Sequence, residues 1–222
     1  SRDLNFINSK QIVNFYVDSP DILLRNPEQT VKILILQNHN LKTAIKDTKP
    51  QYTIGNQLIY KYDQQTAFWA GNEYLNFDSK EVRSSTISIN RIELLDLYHH
   101  YLFTNRSRDT EPYTYNPDIN GQFVIRTLQG INSDIEADYI WTHLSLQNFD
   151  PLDEGEIHIY GAFNNFKLDA STLMTYNKLS GLYENALLFK QGFYNYKYVL
   201  LRKDGSIDEG FFSGNFDKTE RG

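Results

Sequence analysis

The chain has 222 residues, and its 22 Lys and Arg against 28 Asp and Glu leave a net charge of −6. That balance excludes a general nucleic-acid binder, which needs a concentrated basic surface to displace counterions from phosphates, and the lack of cysteine excludes disulfides and thiolate metal sites. No run approaches the ~18 apolar residues of a membrane span, while 16 Tyr and 14 Phe against one Met suit pleated, half-buried surfaces and point to an all-β protein.

Residues 10–17 (KQIVNFYV) read as a first strand, ended by the turn cluster Asp18-Ser19-Pro20. Residues 31–37 place Val31, Ile33 and Ile35 on one face and Leu34 and Leu36 on the other, as in a central strand. Residues 57–62 and 67–70 flank Asp63-Gln64-Gln65 and fit a hairpin. Residues 84–90 and 91–97 continue the strand pattern, although Ile92, Leu94 and Leu95 also fit a helical turn. The polar segment 105–117, with two prolines, is expected as a long exposed loop. Its Arg106, Arg108, Tyr113 and Tyr115 are the expected partner contacts, because Arg and Tyr carry interface energy.

Strands are expected again at 121–128 and 136–146. The second puts Ala137, Tyr139, Trp141, His143 and Ser145 on one side and Ile140, Leu144 and Leu146 on the other. Residues 149–155 (FDPLDEG) read as a linker, which gives two antiparallel β-sandwich domains, 1–148 and 149–222. Beyond it, Ile157 and Ile159 alternate with His158 and Tyr160 until Gly161, residues 186–189 form an apolar run, and Gln191-Gly192 opens a strand of strict period two. That strand sets Tyr194, Tyr196 and Tyr198 on a buried face and Phe193, Asn195, Lys197 and Val199 on the other.

No chemistry-bearing pattern emerges. The histidines, at 39, 99, 100, 143 and 158, lack zinc-site spacing, and His99 and His100 point to opposite faces of a strand. Nucleophile elbows, phosphate loops and dinucleotide fingerprints are missing, so no enzyme activity and no cofactor are expected. Asn116, Asp118, Asn120 and Gly121 fall where a calcium loop has its first ligands, but Thr127 at position twelve cannot give the bidentate carboxylate. Asn120-Gly121 before a strand reads instead as a type I′ turn, and no metal site is expected.

Two resemblances follow from these residues. Tyr160-Gly161-Ala162-Phe163-Asn164-Asn165-Phe166, Met174-Thr175-Tyr176, Tyr183 and the run from Gln191 to Tyr198 resemble the early-set immunoglobulin-like sandwich related to glycogen- and starch-binding modules. Those modules usually carry a Trp where Phe166 stands, and the 148/149 boundary puts Trp69 and Trp141 in the other domain, so no glycan site is expected. Over nearly the whole chain, Gln37-Asn38, Leu58-Ile59-Tyr60, the run from Gly71 to Arg83, Tyr113, Asp118, Asn120-Gly121 and Ala137-Asp138-Tyr139 are similar, in order, to the plug protein family of the bacterial type IX secretion system. Leu75 departs from that pattern, which leads one to expect an arginine after the aromatic.

The second resemblance implies a non-enzymatic periplasmic protein that docks on the inner mouth of an outer-membrane translocon and blocks it, with no membrane insertion of its own. It also implies a further β domain before Ser1 and a further strand after Glu220. Its signature residues here are Asn72, Glu73, Tyr74, Arg83, Asn120, Gly121, Asp138, Tyr139, Gly161, Gly192, Tyr194 and Tyr196, in structural or partner-binding roles. Asn72 suits a left-handed turn after Gly71, and Glu73 and Arg83 suit a pair or backbone hydrogen bonds. The alternative reading is a carbohydrate-binding or glycan-enzyme accessory module.

Overall fold

The computed structural model describes residues 10–22, 24–62, 64–111, 116–148 and 150–214. The fold is all-β, as expected, and divides into two units, Ser1–Ala70 and Gly71–Gly222.

The first unit contains β1 (Lys10–Ile12), β2 (Phe15–Asp18), the helical turn α1 (Pro27–Thr30), β3 (Leu34–Ile35), β4 (Ile45–Lys46), β5 (Tyr52–Ile54), β6 (Gln57–Tyr60) and β7 (Ala67–Trp69). They form three small antiparallel sheets: β1 with β7, β3 with β4, and β2-β6-β5. Leu58, Ile59 and Tyr60 on β6 are buried, and Phe15 stacks on Tyr60 with centroids 4.6 Å apart. The expected strand at 10–17 breaks into β1 and β2, which pair with different partners. Residues 57–60 and 67–69 likewise pair with other strands and form no hairpin together; Asp63 lies outside the described residues. The 31–37 run is not central, since only its two residues Leu34 and Ile35 pair, and Leu34 and Leu36 stay exposed.

The second unit contains β8 (Leu75–Asp78), β9 (Ile89–Leu94), β10 (Tyr98–Leu102), β11 (Phe123–Ile125), α2 (Ser133–Glu136), β12 (Tyr139–Gln147), β13 (Gly155–Tyr160), β14 (Thr175–Asn177), β15 (Leu182–Lys190), β16 (Gly192–Arg202) and β17 (Ile207–Asp208). One sheet has the order β14-β15-β12-β10-β9; the other is organised on β16, which pairs with β8, β11, β13 and β17. Among the described residues every pairing of named strands is antiparallel except β10 with β12, and the isolated Asn105↔Leu146 bridge is also parallel. Between the sheets lie Phe77, Leu144, Leu146, Ile157, Ile159, Phe189, Tyr194, Tyr196 and Tyr198. Phe77 stacks on Tyr194 at 5.2 Å and meets Phe189 edge-on at 5.4 Å, the offset and T-shaped arrangements that the ring quadrupole favours.

The boundary expected at 148/149 is corrected by the pairing. β12 runs antiparallel to β15 over nine residues, from Tyr139↔Lys190 to Gln147↔Leu182, so strands on both sides of 149–155 build one sheet. The segment between β12 and β13 crosses from one sheet to the other. Leu152 in it packs on the core and donates its N–H to Tyr183 Oη at 2.7 Å. Pro, Gly and acids mark a change of direction, which a crossover needs as much as a linker does. Residues 91–94 are strand, as the pattern indicated, and the helical alternative falls. One further expectation changes: β16 is buried on both faces, because Phe166 and Tyr160 cover Val199 on the side away from the tyrosines.

Candidate functional site

The signature residues gather where β8 meets β16. Asn120 and Gly121 have φ of 55° and 76°, and Gln122 N–H closes on Ile119 C=O at 3.1 Å, which is the type I′ turn read from the sequence. Asp118 spends its carboxylate on backbone, accepting from Tyr74 N–H at 2.6 Å and Asn120 N–H at 2.7 Å. Asn195 Oδ1 accepts from Ile119 N–H at 2.7 Å and Gly121 N–H at 3.2 Å. The buried Tyr74 ring packs on Gly121 and lies 4.6 Å beneath the Lys197 ammonium, which pairs with Glu209. Burial alone would pull Lys197 down; Glu209, with Tyr74 and Tyr160, outweighs it and holds the ammonium above its ordinary value.

Most of the other signature positions are scaffold too, while Arg83 is exposed and Tyr139 is half exposed on β12, with the Lys190 ammonium 5.6 Å over its ring. A Cβ on Gly192 would stand 2.3 Å from the Val124 carbonyl, and one on Gly161 2.8 Å from that of Asn195. Asp138 and Gln191 exchange two hydrogen bonds, with Gln191 Oε1 accepting from Asp138 N–H at 3.0 Å and Asp138 C=O accepting from Gln191 N–H at 2.8 Å. Tyr194 donates to Lys190 C=O at 2.8 Å. Tyr196 and Tyr198 both donate to Asn105 Oδ1, at 2.9 and 2.8 Å, and burial pushes all three phenols up. Asn72 Oδ1 accepts from Glu73 N–H at 3.0 Å, and Arg83 Nε donates to Tyr98 Oη at 3.2 Å.

The loop expected to present partner contacts divides. Arg108 turns inward and donates from Nη2 to Glu73 C=O at 2.7 Å, while its N–H bonds Phe212 C=O at 2.7 Å. Burial lowers its pKa below the ordinary guanidinium value. Arg108 is therefore a brace and not a presented contact. Arg106 is exposed, and Tyr113 and Tyr115 lie outside the described residues.

A different surface stands out on the outer face of the five-stranded sheet. Register sets Arg91, Tyr101, His143 and Ala186 in one row across β9, β10, β12 and β15, and Glu93, His99, Trp141 and Leu188 in the next. Arg91 Cζ lies 3.9 Å over the Tyr101 ring, and Tyr101 and His143 stack at 4.1 Å with planes 13° apart. His99 Nδ1 is 2.9 Å from His143 Nε2, and His99 stacks on Trp141 at 6.5 Å. Glu93 ties the edge, accepting from Tyr101 Oη at 2.9 Å and pairing with Arg91 at 2.6 Å. Parallel rings on neighbouring strands, which run about 4.8 Å apart, face one another. Beside them run two grooves, one of about 800 Å³ lined by Tyr101, His143, Ser145, Asn177 and Glu184, the other of about 500 Å³ lined by Trp141, Phe163, Asn164 and Leu188.

Such a surface offers aromatic rings, one stacked guanidinium and amide groups. Among the described residues no group of three His, Asp or Glu is placed to hold a metal ion. The sequence had already put Tyr139, Trp141, His143 and Ser145 on one side of β12. It did not reveal the β10 partners that complete the stack.

No family model matches the chain, and no curated protein is significantly similar to it. Among solved structures, the crystal structure of a hypothetical protein from Parabacteroides merdae ATCC 43184 matches with a TM-score of 0.89 and 31% identity over 98% of this chain. The chain spans 55% of the length of that protein. What the likeness carries is an all-β fold.

Proposed function

We propose that this chain belongs to the type IX protein secretion machinery as a non-enzymatic periplasmic component, which docks on the inner mouth of the outer-membrane translocon and plugs it. The ordered motifs from Gln37 to Tyr139 support the family. The docking mode rests on one observation, the Arg91–Tyr101–His143–His99–Trp141 stack on an open sheet face. A plug has to leave when cargo arrives, so its contact is of moderate area and is polar and aromatic instead of uniformly apolar. Trp, Tyr and Arg are the residues that dominate such contacts, and a rigid sheet presents them at little entropic cost.

The test is an affinity pull-down from a bacterium that carries the secretion system. Wild type is expected to recover the translocon, and the folded Arg91→Ala/Tyr101→Ala/Trp141→Ala variant to lose it. Recovery by that variant moves the contact elsewhere, with Arg106 on the loop as the next position to change. Failure of the wild type to recover any translocon component removes the plug reading.

The second reading, a carbohydrate-binding module, draws on the two grooves and on Trp141, which lies in the same unit as the early-set stretch. Sugar platforms offer flat ring faces to pyranose rings, whereas here the rings turn their faces to each other. Calorimetric titration with maltooligosaccharides decides it, millimolar binding favouring the module and no heat favouring the plug.

A further inference from the structure

The two histidines at the centre of the stack face each other nitrogen to nitrogen. His99 Nδ1 and His143 Nε2 are 2.9 Å apart, so one ring donates and the other accepts. This contact survives one added proton, because whichever ring becomes the imidazolium, the other still offers a lone pair. A second added proton sets N–H against N–H and two positive charges on adjacent stacked rings.

We infer that the His99–His143 pair is a proton gate on the docking face: intact and docking-competent while the pair carries at most one added proton, and forced open by the second. The inference rests on the docking reading above and adds regulation to it. Opening moves His143 off Tyr101, with which it stacks at 4.1 Å, and so breaks the row that begins at Arg91. It also frees His99 from one side of its stack on Trp141.

The groups around the pair set its range. From β9 come Arg91 and Glu93, from β10 Tyr101, from β15 Glu184, and from the turn between β9 and β10 Asp96. Asp96 Oδ1 lies 3.5 Å from His99 Nε2, long for a hydrogen bond. His99 Nε2 is buried and has no hydrogen-bond partner among the described residues. At His143, burial and then His99 lower the pKa, Arg91 adds to them, and Glu93 and Glu184 oppose. His143 therefore takes up its proton below the ordinary histidine value of about 6.5.

Two measurements test the gate separately from the docking reading. The first follows the imidazole C–H and the Trp141 indole signals of the isolated protein by NMR as pH falls from neutral. The expected result is two coupled steps for His99 and His143, the lower one accompanied by a Trp141 shift, with a single uncoupled step left in His143→Gln. Independent titration of both rings near the ordinary value, with Trp141 silent, overturns the gate whatever the protein binds. The second repeats the pull-down above and below the lower step. Wild type is expected to lose translocon several-fold on the acid side. If the NMR steps occur and recovery does not change with pH, the gate exists but this face is not the docking surface.

Discussion

A Cβ at Gly121 would stand 2.7 Å from Cζ of Tyr74, inside any real contact distance, and Gly121 has φ +76°. The two residues fix the junction of the 118–122 turn with β8, since the Tyr74 N–H is held by Asp118 at 2.6 Å. Gly121→Ala meets a left-handed backbone penalty of about 1–2 kcal/mol and an overpacking cost of similar size. A loss of roughly 2–4 kcal/mol is expected in urea unfolding; an unchanged midpoint would mean that Tyr74 swings aside freely.

Asn105 carries two phenols on one oxygen, which makes its removal asymmetric with theirs. Asn105→Ala leaves Tyr196 without its acceptor and Tyr198 with only Ser145 C=O at 3.4 Å. It should cost about 2–4 kcal/mol, against about 1 kcal/mol for Tyr196→Phe, because a stranded buried hydroxyl costs more than a deleted one. Equal losses in the two variants would show that water reaches these hydroxyls.

Lys197 and Glu209 pair over the Tyr74 ring with little exposure of either side chain. Lys197→Met should cost about 2–3 kcal/mol by leaving the carboxylate uncompensated, and adding Glu209→Gln should recover most of it. A double variant no better than the single one would place the cost in lost ring packing.

His100 is fully buried, Nε2 bonds Val82 C=O at 2.9 Å, and Nδ1 has no partner among the described residues. Burial lowers its pKa against the opposing pull of the Val82 carbonyl. The unfolded chain then takes up this proton near pH 6.5 while the folded protein still resists, so stability is full above that value and falls as pH drops below it. The urea midpoint of the wild type should decline on acidification through that window. His100→Gln should flatten the decline, leaving the part due to His143, whose pKa is lowered as well; an identical slope in both proteins would clear His100.

Arg108 and Arg106 sit two residues apart and should behave as different kinds of residue. Arg108→Ala removes the brace to Glu73 C=O from a half-buried position and should cost about 1.5–3 kcal/mol. Arg106→Ala, at an exposed position, should change stability by under about 0.5 kcal/mol. Calorimetric melting of the two variants separates them, and equal melting temperatures would return Arg108 to the partner-contact role.

Period-two patterning placed β12, β13 and β16 and the inward faces of Ile140, Leu144, Leu146 and the three tyrosines, because alternation is a property of the local backbone. The Asn120-Gly121 turn was legible for the same reason, as positive φ is a local preference. The tertiary structure alone decided which strands pair. The sheet contacts that join β12 to β15 across the acidic crossover, and β10 to β12 in parallel, are made between residues 42 to 51 positions apart at the crossing points Tyr98↔Ile140 and Tyr139↔Lys190. A sequence pattern says which side of a strand is apolar but not which strand will lie beside it. That choice set the boundary at Ala70/Gly71 and turned Arg108 inward, and it brought His99 and His143 nitrogen to nitrogen. Local periodicity thus determined the elements and their faces, and the shared burial of Phe77, Phe189 and Tyr194 between two sheets determined the site.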